Sequence, residues 1–423
     1  MRDVLFGSVL RRLEKLLDIE QLCYIDDPVL IYGQSMACAI LHECADVIVN
    51  EYNECTVQEL DELLCAANTV YEEIKVQNKI LAIGFISTVT SALSKIYINR
   101  VGATKKIGIV IPVYNEVERI AQQNALNARI EQYIWLFSNR VISNQHLLFV
   151  DDMSTDNTPK LLRRRLELLP QHYRKEISAI SLEEIDSNKY KHYKCVYPAL
   201  NYYPNSIKGG SVYFGLLWML HEKYDYVLCI DFDLTFSIEH LGVLLNELLK
   251  KSHNGVVINS KRKEGAKGYL HNREANMVSL LFQTINNELL CSNFTDCNSG
   301  CKMIKMDFFA EVANEITDVD LSLDAELLML CLRNGYQVVE NAAVCFHKYE
   351  KGKQGVDRDY GKMLKRINQS KVMHNYNLNL ATPMYNEMVS IGFYPFVQML
   401  ENNKRPQDTN LQTLFRYFEE EIL

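Results

Sequence analysis

The chain has 423 residues, is 48% hydrophobic and 23% charged, and carries a net charge of −8. That is the composition of a globular protein long enough for two or three domains, and the acidic balance excludes a bulk nucleic-acid binder. Twelve cysteines occur with no Cys-x-x-Cys pair, which points to reduced, mostly buried thiols in a cytoplasmic protein rather than a disulfide framework. Asp3 and Glu14 flank too short an apolar segment for a signal peptide. Ile80 to Leu93 is too short for a membrane span, carries Ser87, Thr88, Thr90 and Ser91, and reads as a buried helix.

Residues from Leu5 to about Tyr97 read as helical throughout. Val9, Leu13, Leu16 and Leu17 recur at helical spacing, and Thr56 with Glu59 forms a capping-box pattern before Leu60, Leu63 and Leu64. Residues 1–100 are therefore expected to form a helical accessory domain, without chemistry of its own, that packs on the rest or holds a partner. Val101 to Lys106 is a short linker. The pattern then alternates. Ile107–Val113 is a strand, Tyr114-Asn115-Glu116 its terminal loop, and one long helix is predicted from Val117 to Ser138. Leu147–Val150 is a second strand ending in Asp151-Asp152, with a helix starting near Thr158-Pro159. Tyr226–Ile230 is a continuous apolar run ending in Asp231-Phe232-Asp233, and a helix follows through Leu241, Leu244, Leu245 and Leu248. Strand-helix alternation reaching Val338-Val339 implies an α/β fold with a mostly parallel sheet covered by helices on both faces. Right-handed crossovers then gather the strand ends on one rim.

Two carboxylates one residue apart at the end of a buried parallel strand lie where open α/β sheets bind ligands. Hard oxygen donors there suit Mg²⁺ or Mn²⁺ carrying a diphosphate. The bland alternative is that Asp231 and Asp233 only open a loop and cap the next helix. Asp151 and Asp152 are suited to accept hydrogen bonds from a uracil or guanine N–H and from ribose hydroxyls, and Tyr114 to stack on the base. Glu116 either reaches the ribose or compensates the helix beginning beside it, and Asp156 is better read as a helix cap. Lys208-Gly209-Gly210-Ser211 precedes a helix, so it either lets a diphosphate approach closely or makes a tight turn. Lys261 to Arg273 is a basic stretch with Gly265 and Gly268 as hinges. A second basic run holds Lys348, Lys351, Lys353 and Arg358. Both are placed to bind anions, or are solvated loops.

Pro112 to Glu116, Val150 to Asp156 and Asp231 to Asp233, three blocks in order at strand ends, resemble the family 2 glycosyltransferases of GT-A fold. Asn259 to Arg262, Arg273 to Asn276, Asp296 to Lys302 (with Cys301 in place of Phe), and Leu323 to Leu328 closing in Asn334-Gly335-Tyr336 are most similar to the dolichyl-phosphate mannose or polyprenyl-phosphate sugar synthases. Their C-terminal membrane helices are not matched, Thr235 departs from the usual Gln or Ser, and Tyr190 to Asn205 is a Tyr-rich insertion. The resemblance implies a GT-A domain over 105–360, with a helical extension over 361–423. It implies a UDP- or GDP-sugar donor held by Pro112, Tyr114, Glu116, Asp151, Asp152, Lys208, Gly209 and Asp231. Mn²⁺ or Mg²⁺ would be held by Asp231, Asp233 and His347. Asp324, with Asp296 as the other candidate, would be the catalytic carboxylate, and Arg262, Arg273 and Lys353 would meet an acceptor phosphate. The expected activity is metal-dependent, inverting sugar transfer, the first acceptor being a polyprenyl phosphate at a membrane surface. The alternatives are transfer to a soluble sugar, small-molecule or peptide hydroxyl, and a catalytically inactive nucleotide-sugar-binding scaffold. A nucleotidyltransferase lacks support, because no Gly-rich loop bearing Arg and Lys follows the first strand. Protein partners or self-association would use the N-terminal helices, and no nucleic acid is expected.

Overall fold

The computed structural model describes residues 2–19, 35–101, 104–122, 124–139, 144–206, 208–270, 282–287, 292–317, 319–320, 322–347, 386 and 389–390. The extension expected over 361–423 therefore lies almost wholly outside the described residues, as do Arg273 and the second basic run.

Among the described residues, four helices open the chain: α1 (Arg2–Ile19), α2 (Ser35–Tyr52), α3 (Val57–Lys75) and α4 (Lys79–Arg100). The expected capping box begins α3: Thr56 Oγ1 accepts from Glu59 N at 3.3 Å, and the Glu59 carboxylate accepts from Thr56 N at 2.6 Å. The helix α4 is buried on every side from Leu81 to Ile98. Among the described residues it alone is long and apolar enough to cross a membrane, yet 94% of its apolar window lies inside the fold. A helix apolar all round must be packed all round. Its two threonine hydroxyls are satisfied within the helix itself. Thr88 and Thr90 hydroxyls donate to the Gly84 and Ile86 carbonyls at 2.8 and 2.7 Å.

The sheet contains β1 (Ile107–Val113), β2 (Gln145–Asp151), β3 (Ile177–Ser181), β4 (Tyr226–Ile230), β5 (Asn254–Ser260), β7 (Cys301–Lys305) and β8 (Gln337–Ala342). Their order is β3-β2-β1-β4-β7-β5-β8, and β6 (Lys267–Leu270) pairs separately with β9 (Val344–His347). Only β7 runs antiparallel, between β4 and β5. Every residue of β1, β2, β4 and β5 is buried, as a parallel sheet covered on both faces requires. The expectation of an α/β fold with a mostly parallel sheet covered by helices on both faces holds. One apolar cluster joins residues of α1 through α4 to one face of β1, β2 and β4, so the N-terminal helices share the core of the sheet.

The predicted single helix after β1 is two: α5 (Val117–Gln122) and α6 (Ala125–Phe137), broken where Asn124 takes a left-handed φ of 51°. After α7 (Thr158–Glu167) and α8 (Lys191–Val196), two helices frame the site: α9 (Gly209–His221) before β4, and α10 (Leu241–Leu249) after the Asp231–Phe236 turn. The α4 and α10 backbones meet so closely that a Cβ on Gly242 would lie 2.0 Å from the Ser94 carbonyl. Glycine is required there for that approach.

Candidate active site

Because β1 hydrogen-bonds β2 on one side and β4 on the other, successive crossovers leave β1 in opposite directions. The loops after β1, β2 and β4 therefore meet at a topological switch point, the crevice where doubly wound sheets hold ligands.

The first two loops are stapled together. Asn115, at φ 51°, turns its Oδ1 to accept from Thr155 N at 2.9 Å and Asp156 N at 3.3 Å. Asn115 N donates to Ser154 Oγ at 2.9 Å, and Glu116 N to Thr158 Oγ1 at 2.7 Å. Asp156 accepts from Thr158 N at 2.8 Å and Val117 N at 3.4 Å; the N-cap of the helix Thr158–Glu167 is Asn157, so Asp156, one residue earlier, braces the turn rather than occupying the expected cap. Tyr114 stands on the rim, 41% exposed, while Pro112 is inside β1.

Asp151 and Asp152 are both buried but differ in what they touch. Asp151 Oδ2 accepts from Ser181 Oγ at 3.2 Å and Ser154 N at 3.3 Å, whereas its buried Oδ1 has no protein donor. A buried acceptor without a donor calls for an explanation, and this one lies at the very end of β2. Asp152 is engaged at both oxygens, by Ser206 Oγ at 2.6 Å and Lys208 N at 2.7 Å. Burial raises its pKa, opposed by those two hydrogen bonds. It shapes the loop before α9. In that loop Lys208 has a φ of 69°. Gly209 lies against the 319–320 backbone, where a Cβ would be 2.0 Å from the Asp320 carbonyl. The glycine pair thus serves close packing.

The Asp231–Phe236 turn is built around an arginine that pattern reading missed. Arg129, fully buried on α6, donates Nη2 to the carbonyls of Asp231 (2.8 Å) and Asp233, and Nη1 to Phe236 O at 2.7 Å and Gln132 Oε1 at 3.1 Å. Its Nε reaches Phe232 O at 3.4 Å. Burial lowers its pKa to about 10, so it remains a cation at neutral pH. With the turn's carbonyls drawn inward onto Arg129, its two carboxylates are left for other partners. Asp231 meets Lys208 Nζ at 2.5 Å. Asp233 Oδ1 accepts from Thr235 N at 3.1 Å. Thr235 O accepts from Phe346 N at 2.8 Å, which lays the end of β9 alongside the turn. His347 is the next residue, but its side chain lies outside the described residues. The carboxylate oxygens of Asp231 and Asp233 are donors of the kind a hard divalent ion takes, and in this structure Asp231 is paired with the Lys208 ammonium.

Glu116 is buried beside this charge. Arg119 Nη1 bonds both its oxygens at 2.6 Å. Desolvation, the largest influence, still pushes its carboxyl up to about 7, Arg119 pulling it down and Asp233 and Asp231 adding to the rise.

The Asp296–Lys302 loop closes the other side. Asp231 N donates to Gly300 O at 2.8 Å, and a Cβ on Gly300 would lie 2.1 Å from Asp231 Oδ2. Asp296 is buried and accepts from Lys261 N at 3.2 Å. Lys302, 3% exposed, donates to Ser299 O at 2.6 Å and to Asp324 Oδ1 at 2.9 Å. Asp324 lies in the first turn of α12 (Leu323–Arg333), the helix after α11 (Met306–Val312), and is a quarter exposed. The first basic stretch is partly fixed: Arg262 N donates to Ser260 Oγ at 3.1 Å, Lys263 Nζ binds the Glu340 carbonyl, and Lys267 pairs with Glu72 at 3.4 Å. The lone arginine in the apolar Ala125–Phe137 segment was the available signal for Arg129. Lys302 carried no such signal beyond its place in the synthase-like block.

Residues 204–313 match the sequence profile described as "Glycosyl transferase family 2". No curated protein matches the chain. Among solved structures, the chain is similar to the mannosyltransferase PcManGT from Pyrobaculum calidifontis, in complex with GDP-Man and Mn²⁺. The identity is 14% and the TM-score 0.38, over 85% of this chain and 90% of that one. It is also similar to glucosyl-3-phosphoglycerate synthase from Mycobacterium tuberculosis, in complex with Mn²⁺, UDP and phosphoglyceric acid. There the identity is 16% and the TM-score 0.40, over 63% and 79%. The 204–313 segment, from the loop before Lys208 through the Asp231–Asp233 turn to the Asp296–Lys302 loop, thus carries the pattern of glycosyl transferase family 2.

Proposed function

We propose that the protein transfers a sugar from a UDP- or GDP-linked donor to a phosphate-bearing acceptor, with inversion and with Mn²⁺ or Mg²⁺. The observation that carries this is the paired carboxylate turn at the β1–β4 switch point, with a cation already on Asp231. In this reading Asp231 and Asp233, with His347, hold the metal, which when bound neutralises the diphosphate of the leaving nucleotide. Asp151 turns its partnerless Oδ1 to a ring N–H or ribose hydroxyl. The ends of β2 and β4 are two strand spacings apart, about 10 Å, the reach from a nucleoside to its diphosphate. Pro112 and Tyr114 would flank the base, and Asp152 would act through Lys208, whose ammonium beside Asp231 would serve a diphosphate oxygen.

The acceptor reading follows from Lys302 and Asp324. A hydroxyl acceptor needs a carboxylate to take its proton, and Asp324 has one oxygen committed to a buried ammonium. A phosphate acceptor, already ionised, needs cations instead, which in this reading Arg262, Arg273 and Lys353 would supply. A polyprenyl phosphate at a membrane surface fits that chemistry.

Calorimetry of UDP- and GDP-sugars with and without Mn²⁺, on wild type and Asp233→Ala, tests the donor reading. Metal-dependent binding in wild type, lost in the folded variant, is expected. Equal affinity in both would remove Asp233 from the site. Transfer to phosphate and hydroxyl acceptors by Asp324→Asn then separates the acceptor classes, since only hydroxyl transfer needs the base.

A further inference from the structure

Behind the carboxylate turn, α2 brings Cys38 and His42, one helical turn apart, against Glu239 in the tight turn Ile238–His240 that leads into α10. Cys38 Sγ lies 3.6 Å from His42 Nε2, and Glu239 Oε1 lies 2.6 Å from the same nitrogen. All three ligand atoms fall within 4.8 Å of one another. Two acceptors or donors are thus aimed at one ring nitrogen, which holds at most one proton. If Nε2–H donates to Glu239, it has no lone pair for the thiol. If it accepts from the thiol, it faces a carboxylate with nothing between them. A metal ion in the place of the shared proton satisfies all three.

We propose that Cys38, His42 and Glu239 form a binding site for a divalent zinc-like ion, separate from the Asp231–Asp233 site. The donor set is sulfur, imidazole nitrogen and carboxylate oxygen, which zinc prefers. Tetrahedral ligands place sulfur and nitrogen about 3.6 Å apart and nitrogen and oxygen about 3.3 Å apart. The first spacing is already present, and the second needs Glu239 to withdraw by about 0.7 Å. Binding releases the Cys38 proton to solvent, and thiolate plus carboxylate then neutralise the ion, as a buried site demands. Water completes four-coordination. The surroundings hold these ligands in place. Ser91 Oγ of α4 donates to the other Glu239 oxygen at 2.8 Å, and Trp135 stacks on the His42 ring at 4.6 Å between centroids. Such outer contacts orient ligands and are worth roughly 10–100-fold in affinity. The ion would fasten the N-terminal helices to the segment directly after the carboxylate turn.

The test uses the full-length protein carrying Asp231→Asn and Asp233→Asn, so that the other carboxylates do not compete. Cobalt is added to the metal-free protein, and thiolate-to-cobalt charge-transfer absorption is read. Zinc affinity is measured by competition against that signal. About one equivalent is expected, with Ser91→Ala weakening zinc roughly 10–100-fold and Cys38→Ser abolishing the absorption. Absence of charge-transfer absorption with native circular dichroism would overturn the proposal and leave a plain His42–Glu239 ion pair. Absorption persisting in Cys38→Ser would assign the thiolate elsewhere and equally overturn it. Should Cys38→Ser not fold, His42→Gln decides: a zinc affinity lowered at least tenfold is expected, and undiminished affinity refutes the site.

Discussion

Replacing Arg129 with Met keeps most of the side-chain volume and removes the donors that gather the Asp231–Phe236 turn. Three well-formed bonds go to the carbonyls of Asp231, Asp233 and Phe236, and the fourth, at 3.4 Å, is weak. Each bond to a charged group contributes about 1.5–3 kcal/mol, and a buried carbonyl left without a donor bears its own desolvation cost. Against this, the variant no longer buries a guanidinium, whose pKa is depressed to about 10 by desolvation. That relief is about 3 kcal/mol. The net destabilisation is therefore on the order of 2–5 kcal/mol. Arg129→Lys is expected to fall between, since an ammonium cannot span carbonyls on both sides of the turn. Urea unfolding gives the stability, and calorimetry gives Mn²⁺-dependent nucleotide affinity at a temperature where the variant is folded. Leu244→Ala in α10, a buried core residue, supplies a control of comparable destabilisation. Arg129→Met should lose metal-dependent binding at least tenfold while Leu244→Ala retains it. Wild-type affinity in Arg129→Met, or equal losses in both, would refute the idea that Arg129 sets the geometry of the carboxylates.

Gly300→Ala meets only the tip of Asp231, so the fold should survive with little change while the carboxylate turns away; unchanged Mn²⁺ affinity by calorimetry would contradict this. Asp152→Asn should free Lys208 N and Ser206 from a charged acceptor, costing about 1.5–3 kcal/mol in urea unfolding and weakening nucleotide binding; a loss confined to stability would confine Asp152 to the fold. Glu116 has a folded pKa raised to about 7, so between pH 4.5 and 7 the native state binds more protons than the unfolded one and stability falls as pH rises. Glu116→Gln should remove that slope and gain up to about 3 kcal/mol above pH 7, with no gain near pH 4.5; parallel stability–pH curves for both proteins would show that Glu116 ionises normally.

The strands were legible because buried parallel strands are continuous apolar runs with abrupt polar ends. Ile107–Val113 and Tyr226–Ile230 match their observed bounds. The break between α5 and α6 was not legible, since Asn124 lies in a segment whose apolar spacing continues past it and only its left-handed backbone divides the helix. The antiparallel sense of β7 was hidden for a related reason. A five-residue strand reads alike in both directions, and its direction is set by partners far away in sequence. The N-terminal helices were visible as helices, but an all-round apolar α4 gives no indication of which surfaces cover it.

For the site, residue type at a strand end located the carboxylates but not what each one touches. Asp151 and Asp152 are adjacent and equally buried, yet one has a partnerless oxygen and the other has both oxygens committed to a loop more than fifty residues later. Only the fold distinguishes them, because alternate side chains of a strand end face opposite sides. The same reasoning applies to Lys208. In sequence it is one cation before a glycine pair, with even claims as turn or ligand contact. In the fold, Asp152 grips its N–H at 2.7 Å and Asp231 its ammonium at 2.5 Å, so one residue ties the β2 end to the β4 end across β1. If the proposed donor chemistry is right, a metal arriving at Asp231 must displace that ammonium, and the freed cation then stands beside an incoming diphosphate. Lys208→Met should therefore tighten binding of the metal alone, by removing a competitor, while weakening binding of the metal–nucleotide complex. A separate measurement of Mn²⁺ with and without UDP or GDP reads both effects. If both affinities fell together, Lys208 would be a support for Asp231 rather than its exchangeable partner.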